Sequence, residues 1–416
     1  TKGSAVMNML RFELGDELFR KGIRKYVHDY QYQNVVSEDL RKTMEAVSGR
    51  DLTQFFKQWV YSAGLPEFKV WWEWNEDAGQ MTLYVHQTQD SLPAMDVFKL
   101  TVPIEITAGK QLLQERIQLN QREHRFKYAL KQKPDMVRFD KGPWILKKLN
   151  FEKSFAELKY QLHFDSDVTG RYMAAEQLAY YGDRAIPELK RAIIREPFYW
   201  VRKRLVTTLG AIGSSEALDV LKIATEDKDA RVREEVMKQL SGFKAEAVQD
   251  ILYTHLEHDV NDYVRGEAAA SLGKVKAENA FDVLKEMLAE DSHRNIIRRG
   301  VFRAMKALDD GRALPLAQKY VHYRYSNGGM HLLDMAILDY AESMTYNHQR
   351  EGLEVIKNAL KNPYFRTRKR AAKLLSNYEA TETLLLLKNI LKSERRNFVR
   401  PTLENAIDAL SELSSQ

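Results

Sequence analysis

Cysteine is absent from the 416-residue chain. Disulfides and thiolate metal ligands are thereby excluded, although this does not choose between a reducing and an oxidising compartment. No run approaches 18 consecutive apolar residues, which excludes a transmembrane helix. An excess of one charge is missing too, since 64 lysines and arginines face 58 aspartates and glutamates for a formal net charge of +6. Basic side chains interleaved with nearly as many acids give nucleic-acid binding little support. The chain opens on Thr1 rather than methionine and runs into an apolar helical pattern without the order of a signal peptide. A preceding segment is therefore expected, and any targeting signal would lie in it. A soluble protein is expected, with the cytoplasm favoured among compartments that the sequence does not distinguish.

What is present is enough apolar surface for several cores, and the length suits two to four domains. From residue 4 to 30, Val6, Leu10, Leu14, Leu18, Phe19, Ile23, Tyr26 and Val27 fall at helical spacing. A second helix is predicted from about Glu38 to Val47, ended by Gly49, and a third after Asp51, which with Gln54 offers a capping box. At Phe68 the period becomes two. Val70, Trp72 and Trp74, an Asn-Glu-Asp-Ala-Gly turn, then Met81, Leu83 and Val85 predict a hairpin. Further strands are expected at Leu100–Ile106, Gln114–Leu119, His124–Ala129, Val137–Phe139 and Trp144–Leu149, making a small antiparallel sandwich whose tryptophans pack rather than cage a ligand.

Beyond about Phe155 every strong pattern is helical. Arg171, Arg202, Arg233, Arg265 and Arg298 are separated by 31, 31, 32 and 33 residues, and Arg368 and Arg400 by 32. Each heads a similar phrase, as in Val201-Arg202-Lys203-Arg204 and Val232-Arg233-Glu234-Glu235. A degenerate copy is expected around Asp334 in the gap between Arg298 and Arg368, giving about eight helix pairs of HEAT type. One pair does not bury its apolar side alone, so stacking explains the repeat. The periodic arginines read either as a basic surface for acidic ligands or, more simply, as equivalent positions pairing with an acid or carbonyl of the neighbouring repeat.

Residues 2 to 66 carry Lys2-Gly3-Ser4-Ala5-Val6, Leu14-Gly15-Asp16-Glu17-Leu18-Phe19, Gly22-Ile23-Arg24-Lys25-Tyr26 and Asp39-Leu40. Met44-Glu45-Ala46-Val47-Ser48-Gly49, Asp51-Leu52, Phe55-Phe56-Lys57-Gln58-Trp59 and Gly64-Leu65-Pro66 follow. In order and spacing this resembles the segment downstream of the active site in zinc aminopeptidases of the aminopeptidase N and leukotriene hydrolase family. The resemblance implies three parts: residues 1–66 as the C-terminal helices of the catalytic domain, 67–150 as the small β-sandwich domain, and 151–416 as a right-handed α-α superhelix of HEAT-like repeats.

In that family an H-E-x-x-H helix and a downstream glutamate hold zinc, and the motif glutamate activates water. None of these is among the ten histidines and their neighbours here, and His255 with His258 reads as part of a repeat helix. The expectation is therefore no catalytic residue, no metal ligand and no cofactor in this chain, with zinc in the full-length parent. The expected partners are the N-terminal catalytic part of the same protein and a peptide substrate, with neither membrane nor nucleic acid. Candidate substrate contacts are Arg366, Arg368 and Arg370, beside Lys369, Arg298 and Arg299, and Tyr320, Tyr323, Tyr325 and Asn327-Gly328-Gly329, where the repeat is interrupted. Alternative functions are an interaction scaffold on an inactive peptidase fold and a binding module for acidic polymers.

Overall fold

The computed structural model describes residues 2–90, 97–321, 330–345 and 349–415, in two compact units, Thr1–Tyr181 and Gly182–Gln416. The first unit begins with α1 (Lys2–Leu14), α2 (Asp16–Tyr30), α3 (Ser37–Ser48) and α4 (Thr53–Phe56), the last running into a π-helical turn at Lys57–Tyr61. The apolar stripe predicted over 4–30 is broken at Gly15, whose φ of 81° lies where glycine alone is unstrained. Gly49 caps α3 in the left-handed conformation, as expected. The N-cap of α4 is Leu52 rather than Asp51, which lies one residue earlier and accepts from the Thr53 N–H at 2.8 Å, and no capping box forms, the Gln54 amide turning to Gln58. Leu10, Leu14, Met44, Leu52 and Phe56 form the core between these helices, and α2 and α3 approach closely over Gly22.

The other face of α1 joins the sheets through Val6 and Met9. Seven strands follow: β1 (Glu67–Asn75), β2 (Gln80–Gln87), β3 (Leu100–Ala108), β4 (Gln111–Leu119), β5 (Glu123–Ala129), β6 (Met136–Phe139) and β7 (Lys148–Asn150). They make two sheets, β5-β2-β1-β7 and β4-β3-β6, antiparallel except for β1 with β7. The hairpin register pairs Val70 with Val85, Trp72 with Leu83 and Trp74 with Met81. Val70, Met81, Leu83 and Val85 meet Val102, Ile104, Ile106 and Val137 in one shared core, the arrangement of a sandwich. Trp71 stacks on its cross-strand neighbour Tyr84 at 4.9 Å, and Trp59 packs on Phe98, so these rings act in packing. The strand predicted over 144–149 is confined to β7. Asp140 accepts from the Trp144 and Ile145 N–H groups and holds that stretch as a loop.

Helices α5 (Phe155–Phe164) and α6 (Val168–Gln177) complete the unit. Buried Arg138 of β6 pairs with Asp165 and Asp167 between them.

The second unit contains, in order, α7 (Ile186–Arg195), α8 (Tyr199–Ile212), α9 (Ser215–Ala224), α10 (Ala230–Leu240), α11 (Ala245–His258), α12 (Asp262–Lys274) and α13 (Ala280–Met287). It continues with α14 (Ile296–Leu308), α15 (Leu314–Tyr320), α16 (Met330–Met344), α17 (Gln349–Ala359), α18 (Phe365–Asn377), α19 (Leu384–Ser393) and α20 (Arg400–Ser414). The even-numbered helices pack side by side, most tightly α12 on α14. A Cβ on Gly300 would lie 2.1 Å from the Gly266 carbonyl oxygen, so these two helices touch backbone to backbone.

The recurring arginines tie the repeats together. Arg202 of α8 donates to the Glu196 and Pro197 carbonyls before its own helix and, through two nitrogens at 2.7 and 2.9 Å, to Asp227 of the next repeat. The Asp227 carbonyl then accepts from Arg233, which in turn holds Asp259 with two 2.8 Å bonds. Arg265 repeats the scheme with the Leu256 carbonyl and Glu290, and Arg368 with two carbonyls and Glu394. The Glu394 carbonyl accepts from Arg400. Such forked, charge-assisted pairs fix orientation as well as contributing energy.

Candidate functional site

Arg366, Arg368 and Arg370 all lie on α18, but steps of two residues on a helix turn about 200°, so they do not share a face. Arg368 points inward to Glu394, which is almost wholly buried. Burial opposes ionisation of that carboxyl, yet the Arg368 hydrogen bond and the Arg396 N–H outweigh it and hold the group below its ordinary pKa. Arg370 reaches back to Asp339 and Glu342 of α16, at 3.4 and 2.6 Å. Arg366 is exposed and lies over the Phe365 ring. Lys369 is also exposed.

Arg298 is built into the structure. It donates to the Leu288 and Ala289 carbonyls, to Asn295 and to Asp291. Tyr320 is likewise buried, its hydroxyl donating to the Leu288 carbonyl at 2.8 Å. Tyr323, Tyr325 and Asn327-Gly328-Gly329 lie outside the described residues.

Arg299, the next residue after Arg298, is different. It is half-buried in the first turn of α14, one turn from Arg303, and Arg303 is itself neutralised by Glu267 at 2.9 Å. Burial, followed by Arg303 and Arg294, weakens the hold of Arg299 on its proton, while Tyr263 acts the other way. Arg294 precedes α14 in a left-handed conformation (φ 53°), as does Asn295 (φ 57°), which is uncommon for residues with a Cβ. On α16 the His331 ring stacks on Tyr364 at 4.9 Å, and Tyr364 leads into Phe365 and Arg366 of α18. Burial, then Arg366, Arg294 and Arg299, keep His331 below the ordinary imidazole pKa. No carboxylate pairs with Arg294, Arg299 or Arg366 among the described residues.

Two members of this cluster, Arg299 and Arg366, were sequence candidates, whereas Arg294 and His331 were not. Two places before the repeat arginine the sequence is aromatic or basic at Trp200, Arg231, Tyr263, Arg366 and Phe398, but Thr169 and Ile296 break the pattern, so it marks Arg366 and gives no sign of Arg294 or His331.

A separate cavity of about 410 Å³ lies in the first unit among Met9, Phe12, Glu13, Arg50, Gln58 and Trp59. Burial raises the Glu13 carboxyl pKa, with Arg116 and Arg50 opposing. Among the described residues no group of three or more His, Cys, Asp or Glu side chains is placed to hold a metal ion, so the residues present do not fit a zinc site. No helix among them is long and apolar enough to cross a membrane.

Residues 1–59 match the peptidase family M1 domain, and residues 155–241, 186–273 and 249–324 match HEAT repeats. The chain is similar to aminopeptidase N of Lactococcus lactis subsp. lactis, 43% identical over 65 residues, which are 16% of this chain and 8% of that protein. It is also similar to aminopeptidase M1-D of Oryza sativa subsp. japonica, 28% identical over 179 residues, 42% of this chain and 19% of that one. Tricorn protease-interacting factor F2 of Thermoplasma volcanium is 34% identical over 86 residues, 21% of this chain and 10% of that protein. The aligned stretches thus span less than a fifth of each relative. Among solved structures, Legionella pneumophila aminopeptidase A in complex with aspartic acid superposes with a TM-score of 0.62 over 98% of this chain and 56% of that one, at 15% identity, a likeness of fold.

Proposed function

We propose that this chain, which combines an M1-peptidase segment with a HEAT-repeat region in the fold of an aminopeptidase, is the non-catalytic C-terminal part of a zinc metalloaminopeptidase that removes N-terminal residues from peptides. The observation that carries the reading is the match of residues 1–59 to the peptidase family M1 domain, beside the similarity to aminopeptidase N and aminopeptidase M1-D. The likeness of fold to an aminopeptidase supports it. In this reading α1–α4 buttress the catalytic lobe, the sandwich acts as a spacer, and the repeats cover the substrate cleft and restrict which peptides enter. The partners are the N-terminal catalytic part of the same protein and the peptide. Zinc belongs to the parent, and this chain supplies neither its ligands nor a base.

The test is zinc content and hydrolysis of an aminoacyl reporter, run in parallel on this chain and on the product of its complete gene. Stoichiometric zinc and turnover in the complete product alone are expected. Zinc-dependent turnover by this chain would overturn its non-catalytic role, and neither property in either protein would move the pair to the interaction-scaffold class. For the covering role, deletion of the repeats from the complete enzyme is expected to alter its peptide-length preference. An unchanged preference would remove that part of the proposal.

A further inference from the structure

We propose that Arg294, Arg299, His331 and Arg366 form a carboxylate-binding site that takes acidic side chains of a peptide. The choice of a peptide rests on the aminopeptidase reading, whereas the anion chemistry stands on this chain's own residues. Neighbouring positions provide the contrast. Arg298 and Arg368, which hold the repeats together, each meet two backbone carbonyls and a carboxylate. Arg299 directly follows Arg298 and is half-buried, yet the charges that act on it most are those of Arg294 and of Arg303, the latter paired with Glu267.

Arg299 and His331 are half-buried and Arg294 and Arg366 exposed beside them, and a half-buried charge among like charges is unfavourable unless an anion joins it. Three consecutive even-numbered helices contribute. Arg299 comes from the first turn of α14 and Arg294 from the turn His293–Asn295 just before it, His331 from the first turn of α16, and Arg366 from the first turn of α18, with Tyr364 stacked on the imidazole. Guanidinium forks from separate helices match the two oxygens of a carboxylate. The Tyr364 and Phe365 rings beside them offer apolar contact to the stem of a glutamate side chain.

Fluorescence anisotropy on this whole chain tests the site, with a labelled, N-acetylated and C-amidated oligoglutamate as probe. Binding is expected, weakening as salt rises, and about tenfold weaker or more in Arg299→Gln and in Arg366→Gln. Arg299→Gln should meanwhile unfold at the same or a higher temperature, because a half-buried unpaired charge is gone, so weaker binding would not reflect misfolding. Absence of oligoglutamate binding, or binding indifferent to both substitutions, would overturn the proposal. Two further probes separate the sources of the anion. Binding of a neutral peptide with a free C-terminus but not of oligoglutamate would assign the cluster to chain termini, and binding of inorganic phosphate alone would assign it to a non-peptide anion; either result overturns the side-chain assignment. Oligoglutamate binding here without turnover by the complete gene product would sink the aminopeptidase reading and leave this site standing, and the reverse pair of results would do the opposite.

Discussion

Asp334 stands on α16 near where the repeat calls for an arginine, and it is buried, accepting a 2.7 Å bond from the Thr367 hydroxyl. Burial lifts its pKa to about 6, with the Thr367 and Asn362 bonds opposing. Between the unfolded value near 4 and the folded value near 6, the folded chain binds more protons than the unfolded one. Stability therefore falls as pH rises through that window and stays lower above it. Asp334→Asn keeps an oxygen for Thr367 and removes the charge. It is expected to stabilise the chain by about 1–3 kcal/mol above pH 6, with the gain vanishing below about pH 4. Thermal melts of both proteins across that range check this, and a gain independent of pH would sink the charge argument. At this scale the sequence was half legible. The arginine period was plain and the pairing reading correct, but the acids that complete it, Asp227, Asp259, Glu290 and Glu394, each 25 or 26 residues downstream, form a second periodic signal. Arg294 and His331 were hidden because helix phase does not show which side chains of different helices converge.

The elements themselves were most legible where one period ran uninterrupted. Alternation in β1 and β2 found the hairpin and its inward face, since each strand buries one side only. It failed where local side chains overrode the pattern. Leu10, Leu14 and Leu18 keep helical spacing across Gly15, so the break between α1 and α2 left no trace in hydrophobicity. Trp144-Ile145-Leu146 reads as strand, but Asp140 occupies the backbone donors that a sheet neighbour would need. Glycine also sets how closely the repeat helices pack. In Gly300→Ala the new methyl would meet the Gly266 carbonyl backbone, and α14 would have to lift off α12. A loss of about 3 kcal/mol is expected. Gly242→Ala is the control, because its Cβ would sit an ordinary 3.4 Å from the Gln239 oxygen, and it should be neutral or slightly stabilising. Urea titration of the two variants gives the comparison, and equal midpoints would mean that the contact contributes nothing specific.

Within the second unit, stability should be shared unevenly along the sequence, because in a stacked array each repeat contacts only its neighbours. Arg233–Asp259 has helix pairs on both sides, whereas α19 lies within the Arg368–Glu394 span and only α20 follows it among the described helices. Both carboxylates are buried, with Arg233 gripping two oxygens of Asp259 and Arg368 donating twice to one oxygen of Glu394, so removal of either arginine leaves a buried carboxylate without its guanidinium at a cost of about 3–5 kcal/mol. The consequences should differ with position. Arg233→Met interrupts coupling in the middle of the array and is expected to lower the main unfolding midpoint of the unit. Arg368→Met uncouples only the last helices, which should fray first, so a small early loss of helical circular dichroism is expected before a main transition that hardly moves. The discriminating measurement is a thermal melt followed by circular dichroism, beside hydrogen exchange resolved to α10–α12 and α18–α20. Equal displacement of the main transition by both substitutions would mean that the repeats unfold as one indivisible block. An early loss confined to α19 and α20 in Arg368→Met would show that the ion pairs couple neighbouring repeats locally, the role that their spacing in the sequence predicted.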